Sequence, residues 1–359
     1  SELMVLKKIT SILNHIFIDG LSGMAQGLFA TLIIGTIIEQ IGSLIGSAVG
    51  SYLILIAGFC KALTGAGIGV GVAAKYKSPA LVTVSAAVCG MVGAFAGKIT
   101  LESFTKGSIL FAGPGEPLGA FVAAFVGIEL GSLISGKTKV EIIVTPVVTI
   151  LSGAAVGIIL SPPISHFMKW IGSLINYGVE AQPFLMGIIV SVLMGMALTL
   201  HISSAAIGIS LGLSGIAAGA AAVGCCAQMV GFAVMSFREN RWGGLVSQGV
   251  GTSMLQMPNI IRNPLIWLPP IFASAVLGPV STCIFKMVNN STGSGMGTAG
   301  LVGQFMGYQA MTEAGIAPAI ALIEMAVMHF IAPALLCFII CEGMRKLKLI
   351  KPGDLKLEV

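Results

Sequence analysis

Charged side chains are scarce in this sequence: only 9% of its 359 residues are Asp, Glu, Lys or Arg, while 56% are hydrophobic. A soluble globular protein carries roughly 25% charged residues, so this chain lacks the groups needed to cover its surface in water. The mean hydropathy of +1.00 agrees with this. The apolar runs are long and lack the period-2 alternation of barrel strands, which predicts an all-α polytopic membrane protein.

The sequence also lacks the spacings of metal and catalytic motifs. None of its seven cysteines lies in a CxxC pair or at a Cys/His ligand spacing, so buried structural cysteines are favoured over a metal or redox site. The four histidines show no HExxH pattern and no Ser/His/Asp order. We therefore expect no catalytic residue, no metal, no cofactor, and no enzyme activity of the chain on its own.

At about 20 apolar residues per span, the length allows about ten transmembrane helices. The predicted spans are 16–38, 45–62, 79–97, 117–136, 141–162, 184–200, 216–235, 243–260, 265–286 and 316–341. Whether 98–116 and 243–260 cross the membrane or re-enter is left open. The chain is predicted to have three parts: an interfacial N-terminal segment 1–14, a transmembrane transport domain 15–341 and a cytoplasmic basic tail 342–359. Within the transport domain we expect a re-entrant Gly-rich hairpin at 289–314 and a last helix at 316–341.

The basic residues predict the orientation of these spans. Ten spans place both termini on one side, and the Lys and Arg residues near the two ends of the chain mark that side as cytoplasmic. The net charge of +5 follows from this bias and needs no nucleic acid as a partner. Six of the 19 Lys and Arg residues are then predicted on the outer side: Lys98, Lys106, Lys169, Arg238, Arg241 and Lys286.

An internal repeat is predicted, with halves at about 45–165 and 184–288. The pattern at 64–69, TGAGIG, aligns with 203–208 in the second half and occurs again at 292–297 as TGSGMG. Unwound Gly-rich backbone at membrane depth is tolerated where it lines a cavity, and paired broken segments point to a binding site. Tight helix crossing at small residues is the alternative. The residues of these stretches predicted to bind the substrate are Thr64, Gly65, Gly67, Thr292, Gly293 and Gly295.

Ionisable and amide side chains inside apolar segments are further candidates, because charge within a bilayer is costly. Neutral amides that both donate and accept hydrogen bonds suit polyhydroxylated ligands. The three tryptophans, including Trp267, are interpreted as interfacial anchors. A structural pair or an exposed position is the alternative for each acid. The additional predicted substrate-binding residues are Glu116, Glu129, His201, Gln256, Asn259 and Gln304.

Two stretches carry a resemblance to a known family. The run from Ile12 to Gly42, and residues 292–303, TGSGMGTAGLVG, resemble the IIC-type membrane family that includes the clostridial toxin-production regulator, which is grouped with the sugar-translocating IIC subunits of the phosphotransferase system. In the glucose superfamily of IIC subunits, a GITEP motif carries a sugar-contacting Glu. Gly113, Glu116 and Pro117 match that motif, whereas Pro114 and Gly115 replace its Ile and Thr.

The resemblance implies a multi-pass protein of the bacterial inner membrane, a homodimer, with a sugar-like or other small polar solute. Only a short basic tail follows Cys341, and no IIA or IIB domain is expected on this chain. Phosphorylation of the solute therefore either requires a separate IIB protein as the phosphoryl donor or does not occur, and coupling to an ion is left open. The favoured function is a permease working by alternating access. A membrane sensor or regulator acting indirectly on gene expression is the alternative hypothesis.

Overall fold

The computed structural model describes residues 2–200 and 204–357, and these fold into α-helices joined by short π- and 3₁₀-helical turns, with no named strand in that part of the chain. This confirms the all-α prediction. The chain divides into two compact units, Ser1–Lys169 and Trp170–Val359. The boundary falls inside a single long helix, which therefore belongs to both units.

The first unit begins with a helical run, Leu3–Ile45, in which the π-helical turns Asn14–Gly20 and Phe29–Ile33 link three α-helices. A 55° bend separates the fourth and fifth helices. The helices of this unit are α1 (Glu2–Leu13), α2 (Leu21–Leu28), α3 (Ile34–Ile45), α4 (Ala48–Ala62), α5 (Thr64–Lys75), α6 (Ala80–Phe95), α7 (Leu101–Lys106), α8 (Pro117–Ile134) and the start of α9 (Glu141–Ala181).

The second unit is built around one helix that is buried along nearly its whole length and packs against three neighbouring helices. Its Ala- and Gly-rich sequence lets these neighbours approach closely. The helices that follow α9 are α10 (Pro183–Thr199), α11 (Ser204–Leu211), α12 (Gly215–Met235, the buried one), α13 (Phe237–Val246), α14 (Met257–Arg262), α15 (Leu268–Pro279), α16 (Ser291–Ser294), α17 (Val302–Glu313), α18 (Pro318–Met325) and α19 (Ala332–Lys346).

Among the described residues, seven helices are long and apolar enough to cross a membrane, and the bent pair α4–α5 makes eight. Ten spans were predicted. The difference has two sources: α10 has only 17 residues, and segment 243–260 is not a continuous helix. The seven are Leu3–Ile45, Ala80–Lys98, Pro117–Ile134, Glu141–Ala181, Gly215–Met235, Pro264–Phe285 and Pro318–Lys346.

Segment 236–263 lies at the end of the second unit where the chain finishes. Helix α13 gives way to a π-helical turn and then to extended backbone at Thr252. Asn240 donates to the carbonyl of Leu355, and Asn263 donates to that of Leu349. Both ends of the segment therefore contact the C-terminal strap, the name used here for residues 347–357.

The prediction that Arg238 and Arg241 lie on the opposite side from the tail is wrong. Arg238 pairs with Glu342, and Arg345 pairs with Glu239. These contacts place the loop after α12 beside the end of α19. The error arose because 243–260 was counted as a span, which inverted the sides assigned around it.

Candidate functional site

A Gly-rich hairpin in the second unit begins and ends near the N-terminus of α12. Asn289 donates its backbone N–H to the carbonyl of Gly215, 3.2 Å away, at the start of α12. Gly297 lies against the backbone of Cys225, in the middle of that helix. Helix α17 then runs back to Glu313, which lines a polar groove of about 400 Å³ together with Asn289 and Gly215. The tip of the hairpin is therefore at mid-length of α12.

The local sequence explains why this hairpin does not form one helix. Asn290 caps α16, its Oδ1 accepting from the N–H of Gly293 at 3.0 Å, and Asn289 donates to the carbonyl of Gly303 at 3.0 Å. Gly297 and Gly300 adopt left-handed backbone geometry, with φ of 54° and 55°. Glycine adopts this geometry without a steric cost, so the chain turns between α16 and α17.

At the middle of α12, the hairpin contributes a polar group to the interior. Gln304 Nε2 lies 2.9 Å from His329 Nδ1 and 3.4 Å from the Cys226 sulfur. His329 is only 2% exposed. The other end of the amide, Gln304 Oε1, is buried and has no hydrogen-bond partner in the structure as described. Cys226 lies on the order of 15 Å from either end of α12 at 1.5 Å per residue.

A second polar cluster surrounds Gln228, two residues further along α12 than Cys226. Its Oε1 accepts hydrogen bonds from Thr199 Oγ1 and from the indole N–H of Trp267, both at 2.8 Å. Thr199 Oγ1 also lies 2.9 Å from Ser253 Oγ. Gln228, Thr199 and Ser253 are fully buried. Trp267 is thus a hydrogen-bond donor to the interior, a role that the prediction of an interfacial anchor missed.

The Nε2 of Gln228 has no acceptor among the described residues. Since the indole can only donate, it fixes the carbonyl end of the amide, and Nε2 must point elsewhere. A buried polar group without a partner costs about 1–3 kcal/mol. The middle of α12 therefore offers one unpaired donor, on Gln228, and one unpaired acceptor, on Gln304. The side chains of both clusters are neutral amides, hydroxyls, a thiol, an imidazole and an indole.

Of the predicted site residues, Thr292, Gly293, Gly295 and Gln304 come together in this hairpin. Gly295 lies against the carbonyl of Ser204, whose hydroxyl donates to the Gly295 carbonyl at 2.5 Å. The structure thus ties the hairpin to α11. His201 lies outside the described residues.

Gln256 and Asn259 hold the C-terminal strap. Gln256 Nε2 donates to the carbonyl of Leu355 at 3.0 Å, and Asn259 Nδ2 donates to that of Lys356 at 2.9 Å. Both side chains are buried. The structure therefore gives these two amides a protein partner, at a distance from the unpaired groups along α12.

In the first unit, Thr64, Gly65 and Gly67 lie in the first turn of α5. The stretch 64–69 forms regular helix, so its interpretation as unwound backbone is wrong. A side chain at position 65 would meet the carbonyl of Gly90 in α6, and one at position 67 would meet Thr31. The glycines permit close helix crossing, the alternative interpretation, which offsets their low helix propensity.

Glu116 ends the turn before α8, where Gly115 adopts φ of 68° against the backbone of Ala94. The backbone N–H of Glu116 donates to the Ala94 carbonyl at 2.8 Å, and this hydrogen bond attaches the turn to α6. The carboxylate pairs with Lys169, whose side chain is 60% exposed. The structure thus gives the Glu116 carboxylate a protein partner within the first unit.

Glu129, in α8, pairs with His15, with 2.6 Å between Oε1 and Nε2. Tyr76 stacks on the His15 ring and donates its hydroxyl hydrogen to the His15 carbonyl at 2.7 Å. Burial, followed by the charges of Glu129 and Asp19, raises the pKa of Tyr76. These contacts fasten the N-terminal helical run to the end of α5 and to α8.

The functional candidates that sequence reasoning missed are Gln228 and its partners Thr199, Ser253 and Trp267. The available signal was Gln228 itself, the one amide in the Ala- and Gly-rich apolar stretch 215–235. No group of three His, Cys, Asp or Glu side chains suited to a metal occurs within the described ranges.

Taken together, apolar spans around neutral polar groups define the class: a polytopic helical membrane protein with a polar site inside one unit. The chain belongs to a family described as "Phosphotransferase system, EIIC", whose sequence model matches residues 18–357. The predicted family is thereby confirmed. Such chains are the membrane-spanning component of sugar transport and are generally not catalytic on their own. A search of curated proteins finds no match.

Proposed function

We propose that this chain is the permease for a sugar or a similar small polar solute and that the solute binds beside the middle of α12. The observation that carries this proposal is the pair of unpaired amide groups, the Gln228 donor and the Gln304 acceptor. A polyhydroxylated solute both donates and accepts, so a solute hydroxyl can satisfy either group. Trp267, held by Gln228, offers an aromatic face close by.

The mechanism proposed is alternating access. Solute sites of transporters lie near mid-membrane, next to broken helices. The hairpin that bears Gln304 is broken by its glycines, and α10 ends at Thr199 before α11 starts at Ser204. Movement of this hairpin against α12 would open the site to one side and then to the other. Thr292, Gly293 and Gly295 would act through the hairpin backbone.

The internal repeat remains part of the proposal. Two long helical runs, Leu3–Ile45 and Glu141–Ala181, are each followed by a broken helical pair. In both cases a candidate span comes next, Ala80–Lys98 or Gly215–Met235. This order supports a duplicated architecture. In it Thr64, Gly65, Gly67, Glu116 and Glu129 would belong to the first copy, with Glu116 free to bind solute when Lys169 moves away.

Eight of the nine Lys and Arg residues of the second unit belong to α13, to α14, or to the end of α19 and the strap, and Lys286 is the exception. Positive residues favour the cytoplasmic side. We therefore place the strap in the cytoplasm of a bacterial cell. A cytoplasmic N-terminus, a homodimer and a separate IIB protein as phosphoryl donor stay predictions.

The test is thermal stabilisation of the purified protein across sugars, sugar phosphates, polyols and small anions. A ligand at 100 times its dissociation constant adds about 2.7 kcal/mol to the free energy of unfolding. Gln228→Met and Gln304→Met should abolish the stabilisation. The matched control is Gln309→Met, on α17 but beside Glu313. If a solute still stabilises both variants, the α12 site is not part of the mechanism. If no compound of the panel stabilises the wild-type protein, the isolated chain has no solute site of this kind.

A further inference from the structure

The C-terminal strap is held by side-chain amides of segment 236–263. Asn263, Gln256 and Asn259 donate to three strap carbonyls, at 3.1, 3.0 and 2.9 Å. The side chain of Leu355 is fully buried. The strap is thus a docked segment whose attachment depends on how these amides are oriented.

Three of the amides, Gln248, Gln256 and Asn259, form one connected and saturated chain. Gln248 Nε2 donates to Ser236 Oγ and to the Gly244 carbonyl, at 2.8 and 2.9 Å. Gln248 Oε1 accepts from Gln256 at 2.8 Å, and Gln256 Oε1 accepts from Asn259 at 2.9 Å. Each amide nitrogen uses both of its hydrogens. Because every member is buried, one amide cannot turn without leaving another group unpaired.

The same chain reaches the tip of the Gly-rich hairpin. Thr298, fully buried, donates its hydroxyl hydrogen to the carbonyl of Gly249 at 2.5 Å. Gly249 follows Gln248 in the π-helical turn Ser247–Gly251. Gly297, beside Thr298, is the residue that lies against Cys225. A continuous path of buried hydrogen bonds and one backbone link thus connects the hairpin tip, through Gln248 and Gln256, to the strap.

We propose that the C-terminal strap reports the position of the hairpin: movement of the tip reorients Gln248 and Gln256 and loosens the strap. The meaning of that signal rests on the proposed function, in which the hairpin moves with solute. The coupling itself can be tested without solute, so its failure and the failure of the permease proposal are distinguishable. The strap lies at the end we assign to the cytoplasm, where a released segment is accessible to soluble proteins.

The experiment is hydrogen–deuterium exchange of the purified full chain, read on peptides that cover the strap. Thr298→Val removes the hydroxyl and keeps the side-chain size. We expect exchange in the strap to accelerate about fivefold or more, the lower end of typical coupling between sites. Thr298→Ser keeps the hydroxyl and should exchange like the wild type. Thr312→Val is the matched control, because Thr312 bonds only to carbonyls of its own helix.

The reciprocal variant is Leu355→Asp, which releases the strap from its own end, since Leu355 packs in a buried apolar cluster with Met235 and Met344. Coupling is reciprocal, so exchange around residues 295–303 should accelerate as well. Unchanged strap exchange in Thr298→Val, with a correctly folded helical core, would overturn the proposal. So would equal acceleration in Thr298→Ser or Thr312→Val. If Thr298→Val does not fold, the Leu355→Asp variant tests the proposal instead. Unchanged exchange around residues 295–303 in Leu355→Asp would then overturn the proposed coupling.

Discussion

The crossing of α10 and α12 makes Gly224 the sharpest test of the packing. A Cβ added at Gly224 would overlap the backbone carbonyl of Ser191 on α10. A backbone atom cannot rotate away as a side chain can, so α10 would have to move. Overpacking of this kind typically costs 1–3 kcal/mol. Gly224→Ala should therefore lower the free energy of unfolding.

The control is Gly58→Ala, at an exposed position within α4 where an added Cβ meets no atom within 4 Å. Alanine is better than glycine in a helix by about 1 kcal/mol, and both variants gain this equally. The difference between the two variants is then the overpacking cost alone, about 1–3 kcal/mol. Unfolding by titration with a denaturing detergent, followed by circular dichroism, measures it. A Gly224→Ala protein as stable as Gly58→Ala would refute the close crossing.

Two further substitutions probe single polar contacts. Glu239→Gln removes the charge that pairs with Arg345, where both side chains are at most 12% exposed. Glu342 Oε1 stays 3.8 Å from Arg345 Nε, so the free energy of unfolding should fall by about 1.5–3 kcal/mol, as for a hydrogen bond to a charged group. The same unfolding titration measures this, and a loss below about 1 kcal/mol would contradict a buried pair. Trp267→Phe keeps the apolar ring and removes the hydrogen bond to Gln228. This substitution should lower the free energy of unfolding by about 0.5–1.5 kcal/mol and weaken any solute-induced stabilisation. Unaltered solute binding would place the solute away from Gln228.

The sequence predicted best those membrane spans that apolar length alone identifies. The predicted 79–97 and 265–286 correspond to helices Ala80–Lys98 and Pro264–Phe285. Segment 243–260 failed because its amides and part of its apolar residues, such as Met257 and Ile260, are buried by protein that includes a strap about 100 positions later in the chain. Hydropathy reports that such residues avoid water, but it does not report whether lipid or protein covers them.

The site was only half predictable for a similar reason. Gln304 was identified as an amide after a Gly-rich stretch, but Gln228 stands alone between small residues. Its importance depends on Thr199 and Trp267, which approach from other elements of the second unit. Gln256 and Asn259 had the same local appearance as Gln304. The difference lies in their tertiary partners: Gln256 and Asn259 bond to strap carbonyls, whereas Gln304 keeps an unpaired oxygen. The sequence alone does not show this difference.

The two TG-small-G-apolar-G stretches show how the same pattern reaches opposite outcomes. At 64–69 the chain continues as helix to Lys75, because Gly90 in α6 approaches closely enough to compensate for the glycines. At 292–297 the stretch follows an Asn cap and leads to left-handed residues at Gly297 and Gly300, so the helix ends after one turn. A glycine pattern therefore predicts close approach, and the residues that flank it decide whether helix or open backbone results. In this chain only the second stretch frees backbone, and Gln304, with its unpaired end, follows it. For this reason the solute site that we propose beside α12 lies in the second unit.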